Sequence, residues 1–84
     1  MLYSPAFLRM YRKISASQRD SVDSAIELFQ LDPFHPQLRN HLLKGSMNGI
    51  RSISGGYDLR MLYEEKDGHV LVTFIRVGKH EEVY

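Results

Sequence analysis

The chain has 84 residues, room for one domain with a small core, since a domain of this size hides only about 60–65% of its unfolded surface. It contains no cysteine, which excludes a disulfide scaffold, a thiolate zinc site and cysteine nucleophilic catalysis. With 43% hydrophobic residues, 25% charged residues and eleven Lys and Arg against ten Asp and Glu, the composition is that of a globular protein and not of a disordered one.

In chain order, Met1-Leu2-Tyr3 reads as the stub of a first strand. Ser4-Pro5 starts a helix: the serine accepts from an orphan backbone N–H, and proline at the first helical position loses nothing. Phe7, Met10, Tyr11 and Ile14 then recur at helical spacing. Ser15-Ala16-Ser17 breaks this helix, and a second runs over about residues 17–31 with Val22, Ala25, Ile26 and Phe29 on one apolar face. Asp32-Pro33 ends it, because proline disfavours the helical conformation of the residue before it. Pro33-Phe34-His35-Pro36 is an ordered connection without regular structure.

Beyond this loop the pattern is that of strands. Residues 40–44 form a short one, 46–49 a turn, 50–54 a second and Gly55-Gly56 a break. Tyr57 to Lys66 is a third strand. Asp67-Gly68 is a two-residue hairpin signal, and His69 to Val77 is a fourth strand, apolar on both sides and therefore central and covered. Gly78 ends it, and residues 79–84 are a tail. Two helices before a set of hairpins indicate an α+β fold over residues 1–84, with two N-terminal helices packed on a small antiparallel sheet. The longest apolar stretch, Val70 to Ile75, falls far short of the about 20 residues of a membrane span. No basic segment followed by an apolar run opens the chain, so the expected location is the cytoplasm.

Charge is unevenly placed. Residues 1–19 hold Arg9, Arg12, Lys13 and Arg19 without an acid, and residues 33–63 hold Arg39, Lys44, Arg51 and Arg60 against Asp58 alone. Such segregation permits a positive face on a nearly neutral protein, as a phosphate backbone requires, and equally describes solvated helix faces. With Asp67-Gly68 as the loop, Lys66 faces His69, Tyr63 faces Val72, Met61 faces Phe74 and Arg60 faces Ile75. Asp58 and Arg60 then share a face, at the end of the sheet where the tail leaves, so Arg60, Lys79, His80 and Tyr84 are expected to converge. Arg60 is either an edge residue with its head in water or a guanidinium aimed at phosphate. His80 is either a surface residue or a general acid or base. His41 and Lys44 flank the glycine turn and serve either a ligand or the loop. His35 and His69 read as structural or exposed. No spacing of histidines or carboxylates suits zinc, and Gly55-Gly56 lacks the helix of a nucleotide loop, so no metal and no cofactor are expected.

Four segments in this order resemble the RelE/ParE toxin superfamily: His41-Leu42-Leu43-Lys44-Gly45, Gly49-Ile50-Arg51-Ser52-Ile53, Gly56-Tyr57-Asp58-Leu59-Arg60-Met61-Leu62-Tyr63, and Val77-Gly78-Lys79-His80-Glu81-Glu82-Val83-Tyr84. The Ser4-Pro5-Ala6-Phe7 opening is similar too, and the H-L-x-K-G stretch and the ending look closest to the RelE/YafQ branch. The resemblance implies a toxin of a bacterial type II toxin–antitoxin pair that enters the ribosomal A site and cuts mRNA without a metal. A base takes the ribose 2′-OH proton, the oxygen attacks the adjacent phosphorus, and the 5′-oxygen leaves. By the same resemblance Arg60 matches the arginine that neutralises the scissile phosphate, and His80 the tail position that is Arg or His in the family. Tyr84 matches the terminal aromatic, His41 the histidine before the glycine turn, and Asp58 an acidic position that orients a histidine. Lys44, Arg51 and Lys79 are further substrate contacts.

The further His and the Trp of YafQ-like members are missing here, where the chain reads Ser-Ile-Ser-Gly-Gly and Leu59. A two-histidine pair would therefore be His41 and His80. The chain is expected to stop at Tyr84 without a C-terminal helix. The implied partners are a cognate antitoxin, the ribosome and mRNA, with no membrane and with oligomers formed only through the antitoxin. An acidic antitoxin segment is expected on some of Arg9, Arg12, Arg51 and Lys79. The alternatives are a ParE-like toxin that poisons DNA gyrase without catalysis, and a degenerate toxin kept as an antitoxin-binding partner.

Overall fold

Helix α1 (Pro5–Lys13) starts as its sequence dictates. The Ser4 hydroxyl accepts from Phe7 N at 3.0 Å and also donates to the Ile75 carbonyl at 2.7 Å, so one cap fixes the helix and ties it to the last strand. Helix α2 (Ala16–Leu31) opens with a reciprocal cap. Ser15 Oγ accepts from Gln18 N, and Gln18 Oε1 accepts from Ser15 N at 2.9 Å, satisfying two orphan donors at once. It ends before Asp32-Pro33, with Val22 and Phe29 buried and Ala25 and Ile26 packed beside them.

The computed structural model describes residues 1–67 and 71–84. Among them the strands are β1 (Leu2–Tyr3), β2 (His41–Leu42), β3 (Arg51–Ser54), β4 (Leu59–Lys66) and β5 (Leu71–Lys79), in the spatial order β1-β5-β4-β3-β2. Single 3-10 turns occupy Pro36–Leu38, in the loop expected to lack regular structure, and Gly45–Met47. Among the described residues no helix is long and apolar enough to cross a membrane.

The sheet is mixed and not wholly antiparallel. β2, β3, β4 and β5 pair antiparallel, but β1 runs parallel to β5, with Leu2 opposite Thr73 and Tyr3 opposite Phe74. β5, expected to be central and covered, is second from the edge, with β4 at the centre. Val72, Phe74 and Val77 are buried on the helix side, while Leu71 and Arg76 on the other face are exposed. The first residues of the chain cover the edge that β4 leaves free.

The register of the last hairpin also departs from expectation. Lys66 faces Leu71, Tyr63 faces Phe74, Met61 faces Val77 and Arg60 faces Gly78. Near the turn each partner lies two residues further along β5 than a two-residue Asp67-Gly68 loop would place it. A bulge between Leu62 and Tyr63 then adds one more residue on β5, which leaves Ile75 unpaired. Asp67 has a positive φ of 55°. Gly68, the other half of the expected turn, and His69 lie outside the described residues.

Both long helices lie on one sheet face. Phe7, Val22 and Phe29 meet Ile53, Leu59, Met61, Tyr63, Val72, Phe74 and Val77 in a single core. Phe29 sits edge-on to Tyr63 and Phe74, with ring centroids at 4.9 and 5.5 Å. Each such ring contributes about 1.5–3 kcal/mol by leaving water. The tail is not irregular: His80–Val83 forms a one-turn helix, α3. Glu82 Oε1 accepts from Lys79 N at 2.8 Å, Tyr84 N donates to His80 O at 3.1 Å, and Arg76 Nη1 donates to Val83 O at 3.0 Å. These bonds, with Val83 fully buried, fold the tail back over β4 and β5.

Candidate functional site

Facing residues of paired strands share a sheet face. His41 pairs with Ser52, Ser52 with Leu62, and Ser54 with Arg60. That places His41, Ser52, Ser54 and Arg60 together on the face turned away from α1 and α2.

Ser52 is fully buried, and its Oγ receives two donors, Arg60 Nε at 3.2 Å and the Tyr84 phenol at 2.6 Å. The tail therefore closes onto the strand that carries Arg60. The His80 ring packs on Tyr84, with centroids 4.3 Å apart. On the other side His41 Nδ1 lies 2.9 Å from the Arg39 carbonyl and 3.4 Å from Arg60 Nη2. One nitrogen of a neutral ring cannot both donate to a carbonyl and accept from a guanidinium. The shorter contact, to an oxygen that only accepts, fixes Nδ1 as the donor. Nε2 then carries the lone pair, and the Arg60 contact is proximity and not a hydrogen bond. His41, Arg60, Ser52, Tyr84 and His80 thus form one chain of contacts.

Beside them opens a cleft of about 480 Å³. Its cations are Arg39, Arg60 and Lys79, its acids Asp58 and Glu81, and His80 and Tyr57 complete its rim. Arg39 and Tyr57 both have positive φ, 49° and 51°, a conformation that costs a non-glycine residue about 1–2 kcal/mol. Tyr57 is 66% exposed. Among the described residues no group of three or more His, Cys, Asp or Glu side chains is placed to hold a metal.

No protein-family model matches the chain, and no curated protein sequence matches it significantly. Solved structures do. YafQ from E. coli strain BL21(DE3) is similar with a TM-score of 0.79 at 21% identity, over 99% of this chain and 94% of that one. A YoeB/ParE toxin from Agrobacterium tumefaciens gives 0.78 at 18% identity, over 94% and 95%. A chain of the RelB–RelE antitoxin–toxin complex from Methanococcus jannaschii gives 0.76 at 20% identity, over 100% and 95%. This chain has the RelE/ParE toxin fold. At these identities the likeness is one of fold, and the chemistry of the face has to be argued from its own residues.

Within that RelE/ParE fold, the expected convergence of Arg60 with the tail is present. It runs through Ser52 and not through the register expected for the hairpin. His41, Arg60, His80 and Tyr84 are brought together, and Asp58 and Lys79 line the adjoining cleft. Lys44 and Arg51 are not brought in. Lys44 is exposed just before the Gly45–Met47 turn and is not a lining residue of the cleft. Arg51 pairs with Tyr63 on the helix side of the sheet. There its Nε donates to Asn40 Oδ1 at 2.9 Å, its guanidinium lies 5.2 Å from the centre of the Phe34 ring, and Asn40 donates on to the Tyr63 hydroxyl at 2.8 Å. Arg51 thus holds the loop before β2.

Ser52, Arg39 and Tyr57 were not singled out from sequence. For Ser52 the one available signal is its place as a small polar residue in mid-strand, flanked by Arg51 and Ile53. For Arg39 and Tyr57 the signal is their place at loop ends beside the strands.

Proposed function

We propose that this protein is the toxin of a type II toxin–antitoxin pair and that it cuts mRNA on the ribosome. The observation that carries the reading is the contact chain His41–Arg60–Ser52–Tyr84–His80, which flanks one guanidinium with two imidazoles on one exposed face. In this reading His41 Nε2 takes the proton of a ribose 2′-OH. The freed oxygen attacks the adjacent phosphorus in line, and the bond from phosphorus to the 5′-oxygen breaks. His80 donates a proton to the leaving oxygen, giving a 2′,3′-cyclic phosphate and a 5′-OH. Arg60 neutralises the charge that builds on the phosphoryl oxygens, a group already in position before the reaction. Tyr84 stacks on or orients a base. Asp58 and Lys79 act at the rim of the cleft, while Lys44 and Arg51 fit contacts to flanking phosphate less well because neither lines the cleft.

A cognate antitoxin is the matching protein partner, as RelB is for RelE in the archaeal complex. Its acidic segment would lie on Arg9, Arg12 or Lys79, which are exposed. Arg51 suits it less, being engaged by Asn40 and Phe34.

Primer extension on a defined transcript tests the proposal. Cuts are expected only with ribosomes present. Arg60→Ala and His80→Ala should each reduce them at least about 100-fold while the thermal midpoint stays close to wild type. Intact cleavage in both variants would refute the site. A wild type that leaves transcripts whole and induces the DNA-damage response would point to gyrase poisoning instead.

A further inference from the structure

The contact chain beside the cleft joins two parts of the chain that have no rigid covalent relation to each other. Arg60 stands on β4 at the end of a long, rotatable stem. His80 opens and Tyr84 caps a one-turn helix, and a helix that short is not stable alone. Both parts end on the same oxygen. Ser52 Oγ, fully buried on β3, accepts from Arg60 Nε at 3.2 Å and from the Tyr84 hydroxyl at 2.6 Å.

We propose that Ser52 is the positioning residue of this cleft. Its oxygen holds the Arg60 guanidinium and the Tyr84 phenol in one geometry, and through Tyr84 it seats the His80 ring that packs 4.3 Å away. Neither lone pair of the hydroxyl is spare, so each partner restricts the other. With Nε committed to Ser52, Arg60 presents its two terminal amino groups, the donor pair that matches two oxygens of one phosphate. Without the serine oxygen the guanidinium finds water in several rotamers, and the phenol loses its anchor. The reactive groups keep their identity but not their alignment. The inference rests on the RNA-cleaving reading above, in that it assigns Ser52 a part in that reaction.

The full chain carrying Ser52→Ala, and separately Ser52→Cys, is compared with wild type. Cysteine keeps nearly the volume of serine but is a weak acceptor, so it carries the test should the alanine variant not fold. Two measurements are made. In ribosome-dependent cleavage both variants should lose about 100-fold in kcat, the scale expected when reacting groups are displaced by about 1 Å, with KM changed by less than about threefold. In the isolated protein, by NMR, the Arg60 Nε–H should exchange slowly with water in wild type and rapidly in both variants. The second measurement needs no substrate. A wild type that does not cleave RNA, with exchange responding as stated, overturns the function and leaves the positioning role standing. Unchanged exchange in the variants overturns the positioning role, as does unchanged kcat in variants of a wild type that cleaves.

Discussion

Gly56→Ala tests the turn that delivers Tyr57, Asp58 and the start of β4 to the cleft. Gly56 has φ +80°, and a Cβ added there would lie 2.0 Å from Ser21 Oγ. The Ser21 hydroxyl is not free to yield, because it donates to the Gly55 carbonyl at 2.6 Å. The substitution therefore imposes left-handed strain of about 1–2 kcal/mol and breaks a hydrogen bond whose net contribution is about 1 kcal/mol. Against this, alanine restricts the unfolded chain and returns about 0.4–1 kcal/mol. The net loss is roughly 1–2.5 kcal/mol, a fall of roughly 4–20 °C in thermal midpoint for a domain of this size. Thermal unfolding followed by circular dichroism measures it. A double-mutant cycle with Ser21→Ala separates collision from strain: with the hydroxyl gone, Gly56→Ala should cost measurably less than in the wild-type background. A Gly56→Ala variant as stable as wild type, or a cycle with no coupling, refutes the reasoning.

Other consequences concern α3 and the core. Glu82→Ala removes the acceptor on Lys79 N, a cap of about 1 kcal/mol; exchange of the Tyr84 amide should rise about fivefold while α2 amides keep their protection, and equal rates would show that the cap does not hold α3. Burial holds the Tyr63 phenol above its ordinary value, opposed by the hydrogen bond from Asn40. The native state keeps that proton where the unfolded chain has lost it, so stability is full below about pH 10 and is lost as pH rises through the folded value. Tyr3 and Tyr11 shift in the same direction. Tyr63→Phe should therefore flatten the alkaline limb in part, and an unchanged limb in urea titrations above pH 10 would count against this origin.

What the sequence disclosed was what neighbouring residues determine. Ser4-Pro5, the Val22 to Phe29 stripe and Asp32-Pro33 place both long helices within a residue or two, because caps, period and breakers act locally. The parallel β1 and the one-turn α3 were beyond that reach. Two or four residues carry no period, and each of these elements exists only because β5, Arg76 or Ser52 meets it from far along the chain. The hairpin register failed because it was counted outward from Asp67-Gly68: the partners nearest the turn lie two residues further along β5, and the bulge adds one more. Arg60, His41, His80 and Tyr84 are marked in the sequence by the family resemblance, and the structure brings them together. Ser52 is not so marked, since a lone serine on a strand acquires meaning only from the two donors that reach it. Arg51 misled for the same reason, its partners Asn40 and Phe34 being drawn in by a loop that no pattern describes.

The bulge opposite Leu62 and Tyr63 has a consequence for how this strand tolerates change in length. Adding a residue to a surface loop costs little. Taking Ile75 out would close the bulge and leave every pairing in place, since Arg76 already faces Leu62 and Val77 already faces Met61. Each side chain beyond it would keep its side, and the packing beneath the sheet would survive the deletion. What the extra residue supplies is a local bend and added twist of β5, just ahead of the strand end from which α3 turns back, so a relative lacking it would share this core and differ in how the terminal turn is set.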